Sequence, residues 1–282
     1  MKHVLKSAKG RIGLVLVAIV LFMAISADFI SPHEPADTNL RLRLKEPGYV
    51  DTEGNFYLLG TDQLGRDNLS RIIYGARISI LVSISAVSIS GFIGVLLGTI
   101  AGYQGGWLDS VVMRMVDTQL SIPLIILAIV WVTFIGPSII GIVIVIGIWG
   151  WVQYARLSRG MTLSLKENEF VQAARALGGS MLEIVFSHIV PNLIGPIIVL
   201  ATLQLGQAVL LEAALSFLGV GVPPPTPTWG GMLSDGRPYI DIAWWVAVFP
   251  GIGITILVLG ANLLGDTLRD ALDPRISRRI QH

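Results

Sequence analysis

Cysteine is absent from the 282 residues, which excludes disulfides and thiolate metal sites. Charge is scarce as well: 14 % of residues are charged, where a water-soluble domain carries about 25 %. Lysine and arginine number 20 against 19 acids, so the chain carries no basic footprint for nucleic acid. The four histidines, at positions 3, 33, 188 and 282, are too scattered for a local metal cluster. No Gly-x-x-x-x-Gly-Lys-Ser/Thr loop occurs, so the chain offers no P-loop for ATP. What it has is apolar surface: 53 % hydrophobic residues and a mean hydropathy of +0.71. That composition describes an all-α integral membrane protein.

Stretches free of Asp, Glu, Lys and Arg locate the spans. Six are expected, at about 12–31, 78–101, 118–135, 138–156, 193–218 and 244–264, with Gly136-Pro137-Ser138 as the turn between the third and fourth. The first span, preceded by Lys2, Lys6, Lys9 and Arg11, also reads as a secretory signal with Ala24-Ile25-Ser26 as its cleavage site. Its apolar run continues through Phe29-Ile30, which is long for a signal. With both termini in the cytoplasm, 13 of the basic residues fall inside and 7 outside, six of the latter in one loop. The positive-inside rule favours that orientation.

Two loops carry information. The outer loop 32–76 is polar, and Leu69, Ile72 and Ile73 at its end predict a short helix lying on the membrane surface. The inner loop 157–191 is too rich in helix formers to be a plain linker. Glu167 to Leu177 predicts a helix with acids at its start and Gly178-Gly179 as its stop. Ala173, Ala174 and Ala176 leave it thin, suited either to docking a soluble partner or to packing on its own spans. A second short helix, Met181 to His188, is expected to end at Pro191.

The inner loop resembles the cytoplasmic motif of permease subunits of bacterial ATP-binding-cassette (ABC) importers, read here as Gln172-Ala173-Ala174, Gly178 and His188-Ile189-Val190-Pro191. Gln172 replaces the motif's glutamate. Leu59 to Asp67, Gly102 to Asp109 with Met113-Arg114 and Asp117, Leu215 to Gly221, Pro224 to Gly230, and Gly265 to Pro274 are similar to the dipeptide/oligopeptide/nickel branch, closest to its "C"-type permease. The resemblance implies the six-helix type I importer fold and a bacterial inner-membrane location. It implies a domain plan of a tail and first helix (1–31), an extracytoplasmic loop (32–76), a permease domain (77–266) and a cytoplasmic tail (267–282). The chain would form half of a translocation pore, with a homologous second permease, two cytoplasmic ATPase subunits that bind ATP and Mg2+, and an extracytoplasmic substrate-binding protein. Glu169, Gln172, Ala173, Ala174, Arg175, Leu177, Gly178 and Pro191 would couple it to an ATPase, and Gln172→Glu would be tolerated. No catalytic residue, cofactor or metal site is expected in this chain. The branch carries peptides, nickel complexes, glutathione, opines and oligosaccharides; peptides are the commonest cargo.

Inside the spans, Gly91, Gly94, Gly98 and Gly102 form a small-residue face for close helix packing, within this chain or against the partner permease. Glu212 is the one acid inside an expected span, and with Gln204 and Gln207 it marks either the pore lining or a structural hydrogen bond. The seven tryptophans fall mostly near span ends, as aromatic belts do. Pro223-Pro224-Pro225 and Pro227 stiffen the outer loop 219–243, which would suit a surface meeting a binding protein. A secondary transporter or channel would show more intramembrane charge and an inverted repeat. An ABC exporter half would need longer cytoplasmic helices.

Overall fold

The computed structural model describes residues 7–272. The basic tail residues Lys2 and Lys6, and Arg275, Arg278 and Arg279, lie outside them. Five helices are long and apolar enough to cross a membrane, and a sixth crossing exists if one sharply bent pair counts as a single span. In chain order the helices are α1 (Ala8–Ile25), α2 (Ala27–Ile30), α3 (Asn68–Gln104), α4 (Gly106–Leu120), α5 (Leu124–Ile135), α6 (Ile139–Leu165), α7 (Glu169–Ala176), α8 (Met181–Ile184), α9 (Val190–Phe217), α10 (Trp229–Gly236) and α11 (Trp245–Leu272).

The longest single helix, α3, corrects the expected surface helix at Leu69. Asp67 caps its N-terminus by accepting from the Ser70 amide, and Ile72 and Ile73 are buried in the first turns. At 37 residues it runs about 55 Å, well beyond the ~30 Å of a hydrocarbon core, so Leu69, Ile72 and Ile73 are the first turns of the long helix itself rather than a separate helix. Gly105, with φ +68°, ends it.

The expected third span, 118–135, is broken. α4 and α5 meet at 86° across Ser121–Pro123. Pro123 biases Ile122 away from helical angles, and the 12 residues of α5 reach only about 18 Å, too short to span alone. Two further boundaries move. α6 continues to Leu165, so residues 157–165 belong to that helix rather than to the inner loop. Residues 267–272 continue α11.

Pro191 does not end the helix before it. Between α8 and α9 the chain passes through a π-helical turn, Val185–Ile189, and runs on through Pro191. The wider turn shifts the carbonyls that a proline ring would strike. The Asn192 side chain donates to the His188 carbonyl at 2.6 Å, occupying an acceptor in the widened turn.

The glycine stripe of α3 packs inside this chain, against α6. A Cβ on Gly94 would overlap the Trp151 carbonyl, one on Gly98 the Ala155 carbonyl, and one on Gly102 would sit 2.9 Å from the Arg159 carbonyl. Gly91 is looser, 3.7 Å from the Tyr154 ring. The fit is reciprocal: Gly147 and Gly150 of α6 receive Ile89 and Ser90 of α3, and the Ser90 hydroxyl donates to the Gly147 carbonyl at 2.7 Å. A second seam joins α1 to α11 through Gly13 and Gly260.

The segment between α2 and α3 is held by buried polar contacts. Residues 49–57 form a two-stranded hairpin, Tyr49–Val50 paired with Phe56–Tyr57. Thr61, Asp62, Arg66, Asp67, Asn68 and Arg71 are all buried. Asp62 accepts from the Leu64 and Arg66 amides and, at 2.6 Å, from Arg66 Nε. Trp229 and Trp245 are not belt residues. Trp229 is fully enclosed and donates to the Ile72 carbonyl at 3.0 Å, in a slot cleared by Gly75 and Gly253. Trp245 donates to the Thr61 carbonyl at 3.1 Å. The segment between α9 and α11 therefore contains a helix, α10, wedged into the bundle.

Overpacking the α3–α6 seam has a cost of about 1–3 kcal/mol. Gly98→Val is expected to lower the unfolding temperature of the purified protein, while Gly160→Ala, where a Cβ meets nothing within 4 Å, leaves it unchanged or slightly higher. Thermal unfolding of the two variants side by side checks this; equal melting would remove the seam from the account of stability.

Candidate functional site

Two regions stand out. The first is the corner beyond α6. Asn168 precedes α7, Glu169 sits in its first turn and Arg175 in its last, both matched to the helix dipole. Val171 is the one buried residue of α7. It packs on Ile184, Val185, Ile189 and Leu193, which ties the short helix to the foot of α9. That leaves Phe170, Gln172, Ala173, Arg175 and Leu177 exposed, Leu177 at 89 %.

Gly178 adopts φ +83°, and a Cβ there would meet nothing. The glycine is required by backbone geometry rather than by crowding. The Gly178 amide donates to the Arg175 carbonyl at 3.0 Å and the Gly179 amide to the Ala174 carbonyl at 3.1 Å, closing the helix end. A cleft of about 540 Å³ lies beside the helix, lined by Phe170, Ala173, Ala174, Leu177, Glu183 and His188. Pro191 sits behind it, in the first turn of α9, outside that lining.

Gln172 has a specific task. Its Nε2 donates to the Lys166 carbonyl at 2.8 Å, while Lys166 Nζ donates to the Gly102 carbonyl at 3.2 Å. The end of α3, the end of α6 and α7 are thus linked through one residue. A glutamate at 172 has no hydrogen to give that carbonyl.

The second region lies within the bundle. Gln204 and Gln207 are three residues apart on α9 and share a face. They line a cleft of about 120 Å³ between α9 and α6, together with Gln153, Gln119 and Ser90. Gln119 holds the α6 wall: its Nε2 donates to the Ile148 and Trp149 carbonyls, and its Oε1 accepts from Trp151 Nε1. Gln204 is buried, and its Nε2 has no hydrogen-bond partner. Sequence reasoning missed Gln119 and Gln153. Both sit in runs read only as span, and nothing in spacing along one helix reports a residue facing it from another.

Glu212 is parted from the two glutamines. It is fully enclosed on another side of α9, where Oε2 accepts from Ser79 at 3.1 Å and Oε1 from Ser216 at 2.8 Å. It joins α9 to α3 and is absent from the cleft lining. Among the described residues, no group of His, Asp and Glu could hold a metal ion.

Residues 94–278 match the family described as "Binding-protein-dependent transport system inner membrane component", and residues 6–47 match the "N-terminal TM domain of oligopeptide transport permease C". The chain is 45 % identical over 277 residues to a dipeptide transport system permease protein of Escherichia coli K12, covering 98 % of this chain and 92 % of that one. It is 43 % identical over 275 residues to a dipeptide transport system permease protein of Alkalihalophilus pseudofirmus, covering 98 % and 88 %. A di/tripeptide transport system permease protein of Pseudomonas aeruginosa is 42 % identical over 271 residues, covering 96 % and 89 %.

Gln172→Glu removes the donor to Lys166 while leaving α7's buried anchor, Val171, in place. The expected outcome is faster amide hydrogen exchange at residues 169–172 with transport retained. Unchanged exchange would mean that water replaces the bond at no cost to the corner.

Proposed function

The chain belongs to the family of binding-protein-dependent transport system inner membrane components and is a transport subunit rather than an enzyme; on that premise we propose that it forms half of the pore of an ATP-driven importer whose cargo is dipeptides and short oligopeptides. It is a multi-pass inner-membrane protein. The peptide cargo is supported by the relatives, named for dipeptides and di/tripeptides, which match nearly the whole chain. The second half of the pore is a homologous permease. Two cytoplasmic ATPase subunits bind ATP and Mg2+, and an extracytoplasmic binding protein delivers the peptide. Both termini lie in the cytoplasm, in keeping with the basic residues, 13 of which fall on the inner side.

The observation that carries the coupling role is the exposed, thin face of α7 beside its cleft. An ATPase groove that accepts Ala173 and Ala174 comes close to the helix backbone, and Gly178 turns the chain away from that surface at once. Val171 faces inward, with half-buried Ala174 one turn on at the edge of the same cluster; it anchors α7 to the foot of α9, so a push on α7 is passed to a membrane span. Glu169, Arg175 and Leu177 border the contact. Gln204 and Gln207 line the path in the bundle, and Glu212 supports it from behind.

Ala174→Arg adds bulk where two backbones approach, and Gly178→Asp forces a side chain into a left-handed position. Each is expected to reach the membrane normally, to lose most peptide uptake in reconstituted vesicles, and to lose stimulation of ATP hydrolysis by the loaded binding protein. Full coupled transport in both would remove α7 from the transmission path. Because this chain lacks cysteine, single Cys replacements report topology directly. An impermeant thiol reagent added outside sealed cells is expected to label Pro225→Cys and to spare Leu177→Cys. Labelling of position 177 would overturn the orientation.

A further inference from the structure

The cleft between α6 and α9 has a chemistry of its own. Gln153 lies midway along α6 and Gln204 midway along α9, on facing walls of the cleft. The polar groups of its otherwise apolar lining are uncharged: Gln119, Gln153, Gln204, Gln207 and Ser90 face it, and no Asp, Glu, Lys or Arg does. Gln119 and Ser90 are occupied with backbone carbonyls of α6. Gln204 is not: more than nine-tenths of it is buried, and its Nε2 makes no hydrogen bond. An enclosed amide without a partner works against stability, and an apolar residue of the same shape would pack there at least as well.

We propose that Gln204, Gln207 and Gln153 form a site that reads the peptide bond of the cargo as it passes. The inference rests on the peptide reading of the cargo. A carboxamide both donates and accepts, which matches the N–H and C=O that every peptide carries whatever its side chains. A charged lining would instead sort peptides by side-chain charge and hold the oppositely charged ones. Neutral amides bind weakly enough to release, as conduction through a path requires. The volume of the cleft, about 120 Å³, accommodates one backbone unit rather than a whole cargo. Gln119 is a positioning residue: two of its bonds fix the α6 backbone at Ile148 and Trp149 that forms the facing wall, and a third holds the Trp151 indole.

The test uses the intact importer in vesicles: this chain with its second permease, ATPase subunits and binding protein. Dialanine uptake is measured per ATP hydrolysed, alongside the ester analogue in which oxygen replaces the peptide N–H. Gln204→Leu keeps the shape and removes an unpaired polar group, so it should fold. Gln207→Ala, on an exposed position, is the second variant. Each is expected to lower dialanine moved per ATP by about three- to tenfold, the scale of one net hydrogen bond. Each should also bring the ratio of dialanine to ester closer to one than in the wild type. Wild-type values of both quantities in both variants would overturn the site while leaving the cargo reading intact. A wild-type complex that hydrolyses ATP with its loaded binding protein yet moves no peptide would overturn the cargo reading, and this site with it.

Discussion

The seam between α3 and α6 is the contact on which the rest of the molecule depends. In a bilayer, lipid tails are as apolar as leucine, so two helices stay together by close backbone approach and hydrogen bonds rather than by burial from water. Gly94, Gly98 and Gly102 on one side, and Gly147 and Gly150 on the other, provide that approach. Ser158 adds a bond to the Gly94 carbonyl at 3.2 Å. Because α3 runs about 55 Å, its two ends serve different purposes. Its start carries the buried polar cluster that organises the outer loop. Its far end, through the Gly102 carbonyl and Lys166, touches the corner that presents α7. One closely packed pair therefore connects the buried polar cluster before α3 to the corner that presents α7.

The outer loop shows why so many charged residues can sit in a chain with so few. Arg66 and Arg71 are buried, which is tolerable only with partners. Asp62 bonds Arg66 and lies 3.4 Å from Arg71 Nε, and Asp235 on α10 approaches both guanidinium groups at 3.4 and 3.5 Å. Gly65, with φ +74°, lets the turn come against the Asn39 carbonyl, where a Cβ could not fit. With Trp229 locked to Ile72 and Trp245 to Thr61, the loop, α10 and the start of α11 form one cap on the bundle.

Much of this was legible in the sequence, and the failures have physical causes. Uncharged stretches located the spans because inserting charge into hydrocarbon is costly. The turn at Gly178 was legible because glycine after a run of helix formers marks a left-handed position. The α4–α5 break was not, because Ser121-Ile122-Pro123 interrupts an otherwise apolar run and composition alone does not register an 86° bend. Pro191 misled for the opposite reason: a proline stops a regular α-helix, and a π turn removes the clash that stops it. The tryptophans misled because Trp229 and Trp245 lie near span ends in sequence, as belt residues do, while Trp229 is buried in a slot cut by Gly75 and Gly253 and Trp245 is held by the distant Thr61 carbonyl. Gln119 and Gln153 were invisible for the same reason. A site shared by four helices leaves no period in any one of them.

The polar residues of α9 divide by face, and the division explains how one helix both holds the bundle together and lines the cleft. Successive residues turn by about 100°, so Gln204, Gln207 and Leu211 share one side. Glu212, one residue further, is carried round to another. There it meets Ser79 of α3 and Ser216 of its own helix, and its carboxyl group is closed off with donors at both oxygens. Had the acid stood one turn earlier, on the glutamine face, a charge would have faced the cleft and selected cargo by sign. Placed behind, it ties α9 to α3 and, through the α3–α6 seam, to the opposite wall. The most strongly polar group of the span is thus spent on holding the walls in register. The neutral amides are left to line the cleft.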